Sequence, residues 1–375
     1  MKFCFFGHIA GSFNGKTIGG AELQIALLAR ALALKNHEVV IIDPSAEKSF
    51  LTEEGVKFVH VPDWNKGING VRLFMHRIPQ LKKLFIEQNA DYYYVRMKTY
   101  MHLIPYWSAR KINKKFIIAF AHDLDAPKFL KNFRYKYRSN FNIFKFLTIY
   151  IPNEFAYKFL IKNADYVLLQ HSDQENYLEN VKGQVLIFPN IFDFSNVPAH
   201  SGKTENYFVH PGTLSVLKGI KNLKKLLTVI NHSILIKIIG QPINLKSEKI
   251  YETLRGRENV TLTGRRNHKE TIMEIANSLA LINTSNFEGF PNIFLEAWAT
   301  GVPVISLHVN PGNIFNKYNL GIYCDGDLNK MKKSIEEFHT YPINKEKMVS
   351  YVREFHDFST AGERFILLLT NPKNK

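Results

Sequence analysis

The chain has 375 residues, 45% hydrophobic and 22% charged, the balance of an ordinary globular protein rather than a disordered or fibrous one. Its two cysteines, Cys4 and Cys324, stand at opposite ends, which excludes a disulfide framework or a cysteine metal site and points to a reducing cytosol. The net charge of +16 calls for anionic partners (lipid headgroups, phosphorylated substrates or nucleic acid), and no apolar run reaches the roughly eighteen residues of a membrane-spanning helix.

The length implies about two or three domains. Lys2–Phe6 reads as a first strand rather than a signal peptide, because its apolar run ends at Gly7-His8. Ala21–Lys35 carries a helical apolar face, and Glu38–Ile42 is the next strand. Asp91–Val95, Phe116–Ala121, Tyr166–Gln170 and Gln184–Phe188 are further strands. Pro189–Lys203, rich in turn formers and without periodicity, reads as a linker. The pattern restarts at Asn206–His210 and runs through Ser233–Ile239, Asn259–Leu262, Leu279–Asn283 and Val302–Ser306. A last apolar helix lies around Ala361–Leu369. Alternating strand and helix predicts an α/β protein with mostly parallel sheets, in two Rossmann-like halves facing across a central cleft. The expected boundaries are 1–190, 191–355 and 356–375. The chemistry should then lie on loops that follow strands.

The most informative stretch is the segment from Glu288 to Glu296. Glu288 ends a loop after the strand Leu279–Asn283. Pro291 suits a helix first turn, where its missing N–H costs nothing. Ile293, Phe294, Ala297 and Trp298 follow at helical spacing, and Gly301 closes the helix before Pro303. One carboxylate thus precedes a helix N-terminus and the other lies two turns in, with the dipole-favoured anion site between them. A phosphate flanked by carboxylates that accept from hydroxyls is what a nucleotide-linked sugar asks for. The plain alternative makes both glutamates solvated surface charges.

The contiguous block Asn286–Ile305 resembles the signature of the retaining family 4 glycosyltransferases, two glutamates separated by seven residues in a GT-B fold. That resemblance implies transfer of a hexose-type sugar from a nucleotide-diphosphate sugar, with retention, without a metal ion or other cofactor and without an agreed enzymic nucleophile. It implies that Glu296 takes the ribose diol, and that Glu288, with the backbone at Gly289, Phe290, Pro291 and Asn292, holds the donor sugar. It also implies that the C-terminal helix crosses back to the first domain. Gly212-Thr213-Leu214 followed by Lys218-Gly219 is similar to the family's phosphate clamp, with Thr213 where an arginine is usual. A threonine offers one neutral hydrogen bond in place of a charged fork; Arg265 or Arg266, after the strand Asn259–Leu262, is the candidate replacement. Gly19-Gly20 resembles the family's N-terminal glycine loop, and His122 the histidine that contacts the transferring sugar or acceptor. Pro189-Asn190 looks like a hinge element, with Ile191 where glycine is usual. The catalytic candidates are therefore Glu288, Lys218 and His122.

Three alternatives stand beside this reading. Thr213 fits a nucleotide-sugar-binding paralogue that has lost catalysis. Ala10–Thr17 satisfies a loose P-loop pattern, but Gly19-Gly20 delay the helix that Lys16 would have to open. A non-hydrolysing sugar epimerase of the same fold is the third. Between Ala126 and Asn153 there is no acidic residue, and lysines and arginines alternate with aromatics. This suits an anionic membrane surface better than nucleic acid, and it favours a lipid-linked or polysaccharide acceptor, met by a cytoplasmic protein peripheral on the membrane's inner face.

Overall fold

The computed structural model describes residues 1–13, 19–68, 71–126, 142–198 and 204–371. They form two compact units, Met1–Ile191 with Phe358–Lys375, and Phe192–Asp357.

The first unit is built on an eight-stranded sheet. Its strands are β1 (Lys2–Phe6), β2 (Glu38–Asp43), β3 (Phe50–Leu51), β4 (Val56–His60), β5 (Tyr92–Arg96), β6 (Lys115–Ala119), β7 (Tyr166–Leu169) and β8 (Gln184–Ile187). The order is β3-β4-β2-β1-β5-β6-β7-β8, parallel except for the β3–β4 pair. Side chains alternate between two buried faces. Phe3, Phe5, Val39, Ile41, Tyr94 and Ile117 enter one core, and Cys4, Phe6, Val40, Ile42, Tyr93 and Phe116 the other. A sheet covered on both faces needs continuous apolar strands, which is why these segments do not alternate with polar residues.

The helix Gly20–Ala33 covers the first face. Beside it lies the helix Phe358–Thr370, whose Ala361, Phe365 and Leu369 recur every four residues and are buried in the same core. Phe365 meets Phe188 at 5.1 Å and Phe3 at 6.0 Å between ring centroids. The two helices touch at Gly362, where an added Cβ would stand 2.5 Å from the Ala31 carbonyl oxygen.

The second unit has six parallel strands, β9 (Phe208–Pro211), β10 (Ile236–Ile239), β11 (Val260–Gly264), β12 (Leu281–Asn283), β13 (Val304–Ser306) and β14 (Gly321–Tyr323), in the order β11-β10-β9-β12-β13-β14. Trp298 is fully buried in one of its two cores, and its indole nitrogen donates to the Leu320 carbonyl at 2.8 Å. Strand order reverses on either side of β9, the topological point at which open α/β sheets bind ligands.

Three strands go beyond the sequence expectation: β3, β4 and β14. β3 and β14 are short, two and three residues, and β14 starts with glycine. The linker also differs at its start. Asn190 is buried and its Oδ1 accepts from Arg96 at 2.7 Å and from Gln170 at 3.0 Å. The Ile191 amide and carbonyl are both bonded to the Gln24 side chain. Ile191 itself is buried in the first core, which accounts for a large apolar residue where glycine is usual. Pro189–Ile191 is thus part of the first unit's fabric, not a loose hinge.

Candidate active site

Each unit gathers its candidate residues at the C-terminal ends of its own strands.

In the second unit two loops are stitched together. Asn286 donates from its amide to the Leu217 carbonyl at 3.0 Å, and from its side chain to Val216 at 2.8 Å. Asn222 donates to the Thr284 carbonyl and to Asn286 Oδ1, each at 3.1 Å. Thr284 in turn donates to the Gly219 carbonyl at 3.1 Å and lies 3.0 Å from Nε2 of the buried His210. Burial holds that imidazole neutral, its pKa pushed down to about 4.

This stitching brings Lys218 onto Glu288. The ammonium lies 2.6 Å from both carboxylate oxygens, and Ser285 donates to Oε1 at 2.9 Å. The Glu288 side chain is 7% exposed and that of Lys218 39%, so the lysine reaches in from the surface. Gly219 permits the approach: it has φ +77°, and an added Cβ would stand 1.7 Å from the Thr284 carbonyl oxygen.

The helix after Glu288 runs from Asn292 to Ala299, with Pro291 as its N-cap at φ −65° rather than inside the first turn. Among the described residues no side chain caps that end. Gly289 and Pro291 are buried. Phe290 is 6% exposed and packs on Trp298 and His356, so its ring belongs to the core. Glu296 is buried in the helix's second turn and accepts from His268 Nε2 at 3.0 Å. That hydrogen bond, reinforced by the carboxylate's charge and opposed by burial, raises the His268 pKa.

The clamp loop lies along the same strand ends. Gly212 and Thr213 are exposed after β9. β10 is followed by Gly240, where an added Cβ would stand 2.0 Å from the Gly212 carbonyl oxygen, so the two backbones can be this close only without a side chain. Arg265 and Arg266 follow β11, exposed, with neither an ion pair nor a side-chain hydrogen bond among the described residues. They leave the sheet two strands from Thr213.

In the first unit, Asp43 accepts from the Ile9 and Ala10 amides at 2.7 and 2.6 Å and fixes the loop after β1. Gly19 and Gly20 are exposed at the start of their helix, and Gly19 has φ −69°, so this turn does not need the left-handed region. Lys16 and half of the P-loop pattern, residues 14–17, lie outside the described residues; the helix starts four positions beyond Lys16, at Gly20. His122 follows β6. Its Nδ1 accepts from the Leu124 amide at 3.0 Å, which leaves the neutral ring's hydrogen on Nε2.

Three participants carry no sequence signal of their own: Ser285 beside Glu288, His268 on Glu296, and Asn222 across the two loops. His268 and Asn222 bond to residues distant in the chain, and Ser285, three residues before Glu288, lies outside the motif itself.

Two family models match the chain in tandem, Glycosyltransferase Family 4 over residues 18–193 and Glycosyl transferases group 1 over residues 193–355. An uncharacterized glycosyltransferase of Methanocaldococcus jannaschii is 26% identical over 176 residues, 42% of this chain and 43% of that protein. The chain thus spans about two fifths of the length of the curated relatives it matches. Among solved structures, sucrose-phosphate synthase of Thermosynechococcus elongatus superposes with TM-score 0.73 at 15% identity, covering 99% of this chain and 98% of that one. HepE of Anabaena, in complex with UDP-glucose, gives 0.68 at 15% identity, covering 99% of each chain. WaaG, a glycosyltransferase involved in lipopolysaccharide biosynthesis, gives 0.68 at 16% identity, covering 98% of this chain and all of that one. These likenesses establish the GT-B fold, and the two family models, which between them span residues 18–355, place this chain in the family 4 glycosyltransferase family.

Proposed function

We propose that the chain moves a hexose from a nucleoside-diphosphate sugar, with retention and without a metal ion, to a lipid-linked or polysaccharide acceptor in surface-polysaccharide assembly. The observation that carries the donor half is the juxtaposition of Lys218, Glu288, the helix start at Pro291 and Glu296 in one unit. An incoming diphosphate draws Lys218 away from Glu288. The sugar hydroxyls then supply Glu288 with the donors it has lost, a necessity for a carboxylate so buried. As the bond from the anomeric carbon to phosphate breaks, its electron pair passes to the diphosphate, where Lys218 and the helix-start amides meet the charge. Arg265 or Arg266 supplies the second cation in place of the arginine lost at Thr213. The acceptor hydroxyl forms the new bond to the anomeric carbon and passes its proton to an oxygen of the departing diphosphate. His122, after β6, contacts the transferring sugar or the acceptor.

Thermal unfolding with UDP-, GDP-, ADP- and TDP-sugars tests the donor reading. A bound donor at a hundred times its Kd adds about 2.7 kcal/mol, or roughly 5–10 °C for units of this size. No shift with any of them overturns the reading. Release of free nucleoside diphosphate, even slow, separates the enzyme from the inactive binding paralogue that Thr213 would favour.

The acceptor half rests on a surface of the first unit. Trp107 is 56% exposed and stacks on Phe159 at 5.7 Å, and Phe155, one turn earlier in the helix Ile151–Asn163, is 73% exposed. Ile143, Phe144 and Leu147 continue the exposed apolar row, with Lys111, Lys158 and Lys162 exposed beside it. Rings at headgroup level flanked by cations suit an anionic bilayer. The basic-aromatic residues 127–141 lie outside the described residues. No helix among the described residues is long and apolar enough to cross a membrane. Co-sedimentation with phosphatidylglycerol vesicles at low salt should capture the chain and lose Trp107→Ser/Phe155→Ser. Equal capture of both, or of neither, removes this surface from the proposal.

A further inference from the structure

We infer that His268 is a positioning residue that fixes the Glu296 carboxylate for a ribose diol, so that this chain selects ribonucleoside over 2′-deoxyribonucleoside diphosphates. The inference rests on the reading that a nucleoside diphosphate occupies the second unit.

The arrangement is fixed from both sides. His268 opens the helix His268–Ala276, and a reciprocal cap sets that end: Asn267 accepts from the Glu270 amide at 2.8 Å and Glu270 from the Asn267 amide at 3.1 Å. The helix packs against Asn292–Ala299, which carries Glu296. His268 Nε2 lies 3.0 Å from Glu296 Oε1, and the Glu296 side chain is only 8% exposed. Oε2 meets no protein donor among the described residues. Oε2 is thus the edge of a largely buried carboxylate that is left to accept from hydroxyls. With Oε1 held by the imidazole, the carboxylate plane cannot turn freely, and Oε2 keeps one direction.

The other charges near His268 leave this pairing alone. Glu270 is engaged in the cap, Glu274 is paired with Lys237 of β10, and Lys269, Arg265 and Arg266 are exposed cations. Glu296 is therefore the anion that His268 faces from the neighbouring helix, and it raises the histidine's pKa. Below that pKa the pair is ionic and adds positive charge to the site. Above it the charge is lost, but the Nε2 hydrogen remains to hold Glu296. Affinity for an anionic nucleotide should thus fall as pH rises through the His268 pKa, while preference for ribose persists.

The test is calorimetric titration of UDP, GDP and ADP, and of their 2′-deoxy counterparts, into the wild-type chain, His268→Ala, His268→Gln and Glu296→Ala. The nucleotide that binds should bind about tenfold more tightly than its 2′-deoxy form, the worth of one net hydrogen bond. His268→Ala should lose that tenfold for the ribonucleotide and leave the 2′-deoxy form within about twofold; His268→Gln, which keeps a donor, should restore the preference. If Glu296→Ala weakens the ribonucleotide but His268→Ala leaves the preference intact, or weakens both forms alike, the role of His268 is overturned and the donor reading stands. If Glu296→Ala changes nothing, or no nucleotide binds the wild type, the donor reading falls too.

Discussion

Glu288→Gln lowers sugar transfer by about 10²–10³-fold and, at the same time, tightens the hold on free nucleoside diphosphate. The first effect follows from removing a buried anion that meets hydroxyls of the sugar as its bond to phosphate breaks. The second follows from the resting structure. Lys218 is spent on Glu288, with both carboxylate oxygens 2.6 Å away, so a diphosphate without its sugar must compete for the ammonium and leaves Glu288 uncompensated. An uncharged amide ends that competition. The gain should be about three- to tenfold, since a pair with a 39% exposed lysine is worth on the order of 1 kcal/mol. Lys218→Ala should behave oppositely, losing transfer and also about tenfold in diphosphate affinity. Single-turnover rates and calorimetry on the two variants decide the matter. Weaker diphosphate binding by Glu288→Gln would mean that Lys218 does not change partners, and the division of roles between the two residues would fail.

The parts of this site legible in the sequence are those whose residues are contiguous or periodic. Glu288, the proline-started helix and Glu296 form one run of nine positions, and its apolar spacing by itself marks the helix. Strand identity was legible for the same reason: strands buried on both faces read as unbroken apolar runs, as in β1 and β2. What stayed hidden are pairings between distant loops. His268 is 28 residues from Glu296, and nothing in its neighbourhood marks it as more than a residue following a cap. Asn190 looks like a turn former but sits 94 residues from the guanidinium that it binds, and only the folded sheet brings Arg96 across to it. Phe290, between a glycine and a proline, reads as loop, while the structure buries its ring against Trp298. Burial of a lone aromatic depends on which helix packs above it, and local pattern carries no trace of that.

The junction of the two loops is where a single methyl group should do most harm. Gly219→Ala is expected to destabilise the second unit by roughly 3–5 kcal/mol and to lower transfer by about a hundredfold or more. Two penalties combine. At φ +77° an alanine is held in the left-handed region, which costs about 1–2 kcal/mol. Its Cβ would also stand 1.7 Å from the Thr284 oxygen and 2.3 Å from the Thr284 carbonyl carbon, and these are backbone atoms that no rotamer change can move. The loops must part, which breaks the Thr284–Gly219 bond and carries Lys218 away from Glu288. Gly55→Ala separates the two penalties: Gly55 has φ +87° but nothing within 4 Å of the added carbon, so it should show the conformational cost alone and leave transfer intact. Hydrogen exchange resolved to the segments 208–229 and 281–299 should show faster opening in Gly219→Ala and no change in Gly55→Ala. Wild-type protection and turnover in Gly219→Ala would mean that the Lys218 and Glu288 loops do not meet at this glycine, and the donor site assembled from them would have to be abandoned.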